Sequence, residues 1–166
     1  MNRIAMERNV AAEPDLTVAG AVLTIDLGAL RENYRRLKAR LGSARAAAVV
    51  KADGYGLGAA RVARALTAEG CDTFFVALAG EGIELRAALG SGPAVYVLNG
   101  LPPGAEARAA AAGLAPVLNS AGQIAAWREA ARRLGRKLPA AVQVDSGMSR
   151  LGMAPAEVEA VAADPN

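Results

Sequence analysis

Histidine is absent from the 166-residue chain, so neither a His-based catalytic triad, a His metal site nor a His acid–base pair can be built from it. Cys71 is the one cysteine, which excludes an intrachain disulfide and suits a reducing compartment. Aromatic residues amount to 4%, so the basic balance of net charge +3 lacks the interleaved stacking platforms of a nucleic-acid surface. Its arginines, among them Arg31, Arg35, Arg36, Arg128, Arg132 and Arg133, are interspersed with Glu32 and Glu129 and read as solvated helix faces. The apolar stretch "LTVAGAVLTI" is too short to span a bilayer and runs straight into Asp26. The opening "MNRIAMERNVAAEPD" has charges throughout and no continuous apolar segment of the signal-peptide kind. These absences lead us to expect a soluble cytoplasmic protein with no metal, nucleic-acid or membrane partner. Lysine is scarce as well: Lys38, Lys51 and Lys137 against nineteen basic residues in all.

What is present is a repeated alternation. Residues 1–18 read as a flexible lead, and residues 19–166 as one folded region with ample apolar content, 53%, for a core. "AVLTIDL" has the composition of a strand, and Asp26 then caps a helix carrying Leu30, Tyr34, Leu37 and Leu41 before Gly42. The same unit recurs: "AAAVVKA", "TFFVAL", "AVYVL", "APVL" and "AAVQVD" are each followed by a helical stretch. The clearest helix opens on Ser120 and Gln123 as a capping box, presents Ile124, Trp127, Ala131 and Leu134 as its stripe, and ends at Gly135. Pro155 opens the last helix, which is expected to stop near "DPN".

The strands are near-continuous apolar runs rather than alternating ones, the pattern of a parallel sheet covered on both faces. That leaves an open doubly wound sheet or a barrel. The unit length of some twenty residues, and the absence of a GxGxxG fingerprint after the first strand, favour an incomplete (β/α)8 TIM-type barrel of about five parallel βα units preceded by a strand and helix. A closed eight-stranded barrel takes roughly 250 residues, so the chain is expected to stop before a sixth strand.

Lys51 stands at the C-terminal end of the first barrel-type strand, on the edge where such folds carry their chemistry. On position alone it reads as a strand-end lysine reaching solvent. Its sequence neighbours argue otherwise. "ADGYGLG" supplies a glycine-dependent turn, the Tyr55 hydroxyl and a helix start that favours anions, and an amine in a partly apolar setting can attack a carbonyl. Taken singly, Tyr55 reads as filler and Arg150 as either a surface or a site residue. Asp145 reads as a turn carboxylate and Met148 as a packing residue.

The stretches "AVVKADGYGLGA", "LTIDLGALRENYRRLK" and "VQVDSGMSRLGM" resemble, in order and over nearly the whole chain from Val22, the alanine racemases, which are pyridoxal-phosphate-dependent enzymes of fold-type III. The resemblance implies interconversion of L- and D-alanine by two-base proton transfer, supplying D-alanine for peptidoglycan. It implies that Lys51 carries pyridoxal 5'-phosphate as an imine and is one of two acid–base groups. Tyr55 then hydrogen-bonds the cofactor phosphate, and Arg150 faces the cofactor phenolic oxygen and the substrate carboxylate. The family's second base, a tyrosine of the partner subunit's C-terminal β domain, has no match here, and that domain and the later strands are expected to be absent. The full-length enzyme is expected to be a homodimer, and the 166-residue chain by itself to lack turnover and to self-associate. One departure stands out: Gln143 occupies a position where many members have a modified lysine. Other readings are a barrel racemase or decarboxylase of another amino acid, and a non-catalytic α/β fragment binding a phosphorylated small molecule.

Overall fold

The computed structural model of the chain describes residues 18–163. The lead read at residues 1–18 lies outside these except for Val18, as does the "DPN" stop. Five strands, β1 (Ala48–Val49), β2 (Thr73–Val76), β3 (Ala94–Val97), β4 (Ala115–Leu118) and β5 (Ala141–Val142), form one sheet in the order β1-β2-β3-β4-β5, and every neighbouring pair is parallel. Each strand therefore lies beside its sequence neighbour with no reversal of order. A doubly wound sheet would show a switch point; this arrangement is that of a barrel wall, and five βα units are borne out.

The helices are α1 (Leu27–Ala39), α2 (Lys51–Tyr55), α3 (Ala59–Thr67), α4 (Ala79–Leu89), α5 (Glu106–Ala111), α6 (Ala121–Leu134) and α7 (Pro155–Ala163). Apolar stripes dock them: Val62, Ala63 and Leu66 from α3, Leu85 from α4, Ala109 and Ala110 from α5, and Ile124 and Trp127 from α6 join Phe74, Val76, Val95 and Val97 of the sheet in one core. Gly82 lets α4 pack closely: a Cβ there would stand 3.0 Å from a methyl of the buried Leu114, which would have to shift to admit it. Arg86 bolts the opposite end of α4 to two loops. Its guanidinium donates to the carbonyls of Gly90 (2.7 Å), Pro93 (2.8 Å), Gly113 (3.0 Å) and Ala112 (3.1 Å).

Three expectations are corrected. "AVLTIDL" is not a strand: residues 21–26 have no ladder partner among the described residues, and Val22, Leu23 and Ile25 are exposed. Its composition suits a strand, but a strand exists only where a neighbour offers a ladder. At β2 and β3 the sheet is covered fully on one face, not on both. In β2, Phe74 and Val76 are buried beneath the helices, whereas Phe75 stacks on Tyr96 of β3 at 5.2 Å on the half-open face. Finally, the α6 stripe fades at Leu134, which is exposed, and the Gln123 side chain accepts from Asn119 N (2.8 Å) rather than from the Ser120 amide. Among the described residues no helix is long and apolar enough to cross a membrane.

Candidate active site

β1 hands over to the site at Val50. Val50 is 2% exposed on the covered face, and its amide continues the ladder to Phe75 O at 2.8 Å. Val50 then leaves the extended conformation, with ψ of 25°, and Lys51, half-buried, is the first residue of the segment that follows the strand. Lys51 Nζ has no hydrogen bond or ion pair among the described residues; its neighbour is the Tyr55 ring, 5.9 Å away at the centroid.

The backbone after Lys51 winds the wrong way. Ala52, Asp53, Gly54 and Tyr55 have φ of 51°, 51°, 65° and 57°, a single left-handed helical turn. Only glycine adopts that region freely, and each L-residue there costs about 1–2 kcal/mol. The expectation that glycines alone would make this turn is therefore corrected: three of the four residues have side chains. Gly54 remains obligatory, since it is buried and a Cβ on it would sit 3.2 Å from the Ala59 backbone.

Two carboxylates hold the turn. Asp53 Oδ1 accepts from Ala59 N at 2.8 Å and so caps α3, whose N-cap, Gly58, has no side chain. Glu81 Oε1 accepts from Ala52 N at 2.8 Å, while its Oε2 accepts from Ala77 N (2.8 Å) and Leu78 N (3.0 Å) at the start of α4. Leu78 offers no side-chain acceptor, so Glu81 caps that corner alone. Neither residue was singled out from the sequence. The available signal was a Glu three residues beyond the end of "TFFVAL", the position from which a carboxylate reaches back to an N-terminus, but no Ser, Thr, Asp or Asn precedes it.

At the far edge, β5 leads into the loop carrying Arg150. Asp145 Oδ1 accepts from Gly147 N and Ser149 N, both at 3.0 Å, which is the turn role read for it. The Ser149 amide first, then that of Gly147, holds the Asp145 carboxyl below its ordinary range. Gln143 Nε2 donates to Leu151 O at 3.2 Å. Arg150 thus sits between two pinned residues, Ser149 and Leu151. Gly152 closes the loop: a Cβ there would lie 2.7 Å from Asp145 N. Met148, expected to pack, is 74% exposed.

Lys51 and Tyr55 are brought together; Arg150 is not joined to either. All three lie at C-terminal strand ends, Lys51 and Tyr55 beyond β1 and Arg150 beyond β5, with three strands between. Neither Tyr55, 63% exposed, nor Arg150 has a hydrogen-bond or ion-pair partner among the described residues. A cavity of about 340 Å³ lies elsewhere, between Leu101 and Pro103 of the β3–α5 loop and Gln123 and Trp127 of α6, and none of the three lines it.

Fold and edge together define the class: a parallel βα barrel wall with a free amine at the end of its first strand. The chain belongs to the alanine racemase family, its N-terminal domain matching over residues 25–166. It is 72% identical over 146 residues to the catabolic alanine racemase of Mesorhizobium japonicum, covering 88% of this chain and 38% of that protein. It is 54% identical over 147 residues to alanine racemase of Brucella abortus, covering 89% and 37%. Among solved structures, alanine racemase from Bartonella henselae with covalently bound pyridoxal phosphate superposes with a TM-score of 0.82 at 41% identity, over 85% of this chain and 41% of that one. Alanine racemase from Streptomyces coelicolor gives 0.78 at 35% identity, over 82% and 37%. The chain thus spans well under half the length of these relatives.

Proposed function

We propose that this chain supplies the lysine-bearing part of an alanine racemase, with pyridoxal 5'-phosphate as cofactor and alanine as substrate. The observation that carries the reading is Lys51: an amine with no carboxylate partner among the described residues, presented at the C-terminal edge by a turn whose geometry is unfavourable for its residues. The donor set fits the cofactor. Lys51 offers an amine for an aldehyde, the unpartnered Tyr55 hydroxyl can donate to a phosphate, and the Arg150 guanidinium can donate to a phenolate or carboxylate. When bound, pyridoxal phosphate supplies the aldehyde and a ring that spreads the charge left by removal of an α-proton.

Within that reading Lys51 Nζ holds or releases the proton on one face of the substrate α-carbon. Arg150 fixes the substrate carboxylate. Gln143, being neutral, acts on the Arg150 loop through Leu151 O rather than by charge. We assign the second proton-transfer group to the part of the relatives beyond the matched segment. We further propose a cytoplasmic, homodimeric enzyme that provides D-alanine for peptidoglycan.

The test uses the protein carrying this chain, with pyridoxal phosphate and borohydride. Borohydride is expected to fix the label on Lys51, a separate unreduced sample is expected to remove the optical rotation of L-alanine, and Lys51→Ala should abolish both. Undiminished turnover in Lys51→Ala would overturn the assignment.

A further inference from the structure

We propose that Glu81 is a positioning residue for Lys51, and that its carboxylate sets how readily the Lys51 amine engages an aldehyde. The proposal rests on the reading of Lys51 as the cofactor lysine and adds a residue to it. Lys51 is held by hydrogen bonds on both sides in sequence. Val50 N is fixed to Phe75 O at 2.8 Å, and Ala52 N to Glu81 Oε1 at 2.8 Å. The first of these belongs to the sheet; the second is a side-chain tie over 29 residues of chain.

The tie has a specific geometry. Glu81 Oε2 takes both amides of the Ala77–Leu78 corner, so one carboxylate joins the exit of β1 to the exit of β2 on the same edge of the sheet. Ala52 is the first left-handed residue of the strained turn. Strained backbone persists where its surroundings over-determine it. Here the turn is closed by its own backbone, Gly54 N on Val50 O at 2.9 Å and Gly56 N on Ala52 O at 3.0 Å, and side chains tie it to the helices around it, Asp53 to Ala59 N at its far end and Glu81 to Ala52 N at its near end. Without Glu81, the Ala52 amide loses its acceptor and only the turn's own backbone bonds hold Ala52 in the left-handed region. The Cα–Cβ direction of Lys51 is then held less firmly, and with it an amine at the end of four methylenes.

Chain length separates this tie from ordinary helix capping. An aspartate at position 81 still reaches the Ala77–Leu78 amides three and four residues back but, one methylene shorter, cannot also reach Ala52. Glu81→Asp is therefore expected to keep α4 capped while freeing the turn.

The experiment is competitive borohydride trapping of pyridoxal 5'-phosphate on the protein carrying this chain, read by peptide mapping of Lys51 against Lys38 and Lys137 in the same sample. Lys38 donates to Glu69 O at 3.3 Å on the surface and reports nonspecific labelling. The wild type is expected to label Lys51 preferentially, and Glu81→Asp to reduce that preference about tenfold with an unchanged thermal melt. Unchanged Lys51 preference in the folded variant overturns the proposal while leaving the assignment of Lys51 intact. No Lys51 preference in the wild type overturns the Lys51 assignment and this proposal with it. Glu81→Gln, whose amide also lacks the second acceptor oxygen, is the second variant. Should neither variant fold, Glu81 is a structural cap only, and the proposal fails.

Discussion

Asp53 and Ala59 are joined across the glycine-rich turn: the Asp53 carboxylate accepts the Ala59 amide at 2.8 Å, closing the left-handed segment onto the first turn of α3. A residue inside the strained turn thus caps the helix that comes after it, because Gly58 at the N-cap cannot.

Replacing Asp53 with alanine is expected to cost about 1–2 kcal/mol, the usual loss for a missing cap, in urea unfolding monitored by circular dichroism. Asp53→Asn should recover most of it, since the amide oxygen still accepts and asparagine tolerates the left-handed region. Equal stability of Asp53→Ala and the wild type would show that the bond contributes nothing.

Gly152 and Gly147 both have positive φ, 103° and 120°, but only Gly152 is hemmed in by backbone. Gly147→Ala meets nothing within 4 Å and should lose only the backbone strain of about 1–3 kcal/mol. Gly152→Ala adds contacts at 2.7 Å to Asp145 N and 2.8 Å to Val144 C. A further loss of about 1–3 kcal/mol is expected, measured in the same unfolding series. Equal losses for the two would contradict the crowding.

The loop bearing Arg150 should loosen in acid. Asp145 has its carboxyl held below the ordinary value of 3.8 by the amides of Ser149 and Gly147. A depressed folded value means that the stabilisation is present above 3.8 and is lost as pH falls through the folded value. The amide resonances of Gly147 and Ser149 should therefore titrate together on the acid side of 3.8. Asp145→Asn should abolish that titration; its persistence would assign it to another group.

Arg86 spans four carbonyls that no single ammonium can reach together. Arg86→Lys is expected to destabilise the fold by about 2–3 kcal/mol, the scale for losing charge-assisted bonds to partly buried carbonyls, despite keeping the charge. A chemical-denaturation midpoint equal to that of the wild type would show that the four bonds are dispensable.

The βα units were legible in the sequence because their signals are local. Asp26 and Ser120 stand at observed N-caps, Gly135 at an observed C-cap, and the apolar runs at Thr73–Val76 and Ala94–Val97 coincide with strands. The place of Lys51 just beyond a strand was legible from the apolar run before it. The left-handed turn was not. Ala52 and Tyr55 have no preference for that region; part of its support comes from Glu81, 29 residues from Ala52 along the chain. "AVLTIDL" failed for the converse reason: its local preference has no neighbouring strand among the described residues to realise it.

Trp127, the chain's one tryptophan, is 4% exposed on the inner side of α6, and its indole N–H has no acceptor among the described residues. A buried indole emits toward the blue, and exposure to bulk water on unfolding shifts the emission to the red. The molecule therefore carries its own fluorescent gauge of whether α6 is seated, readable without a label and from a single site.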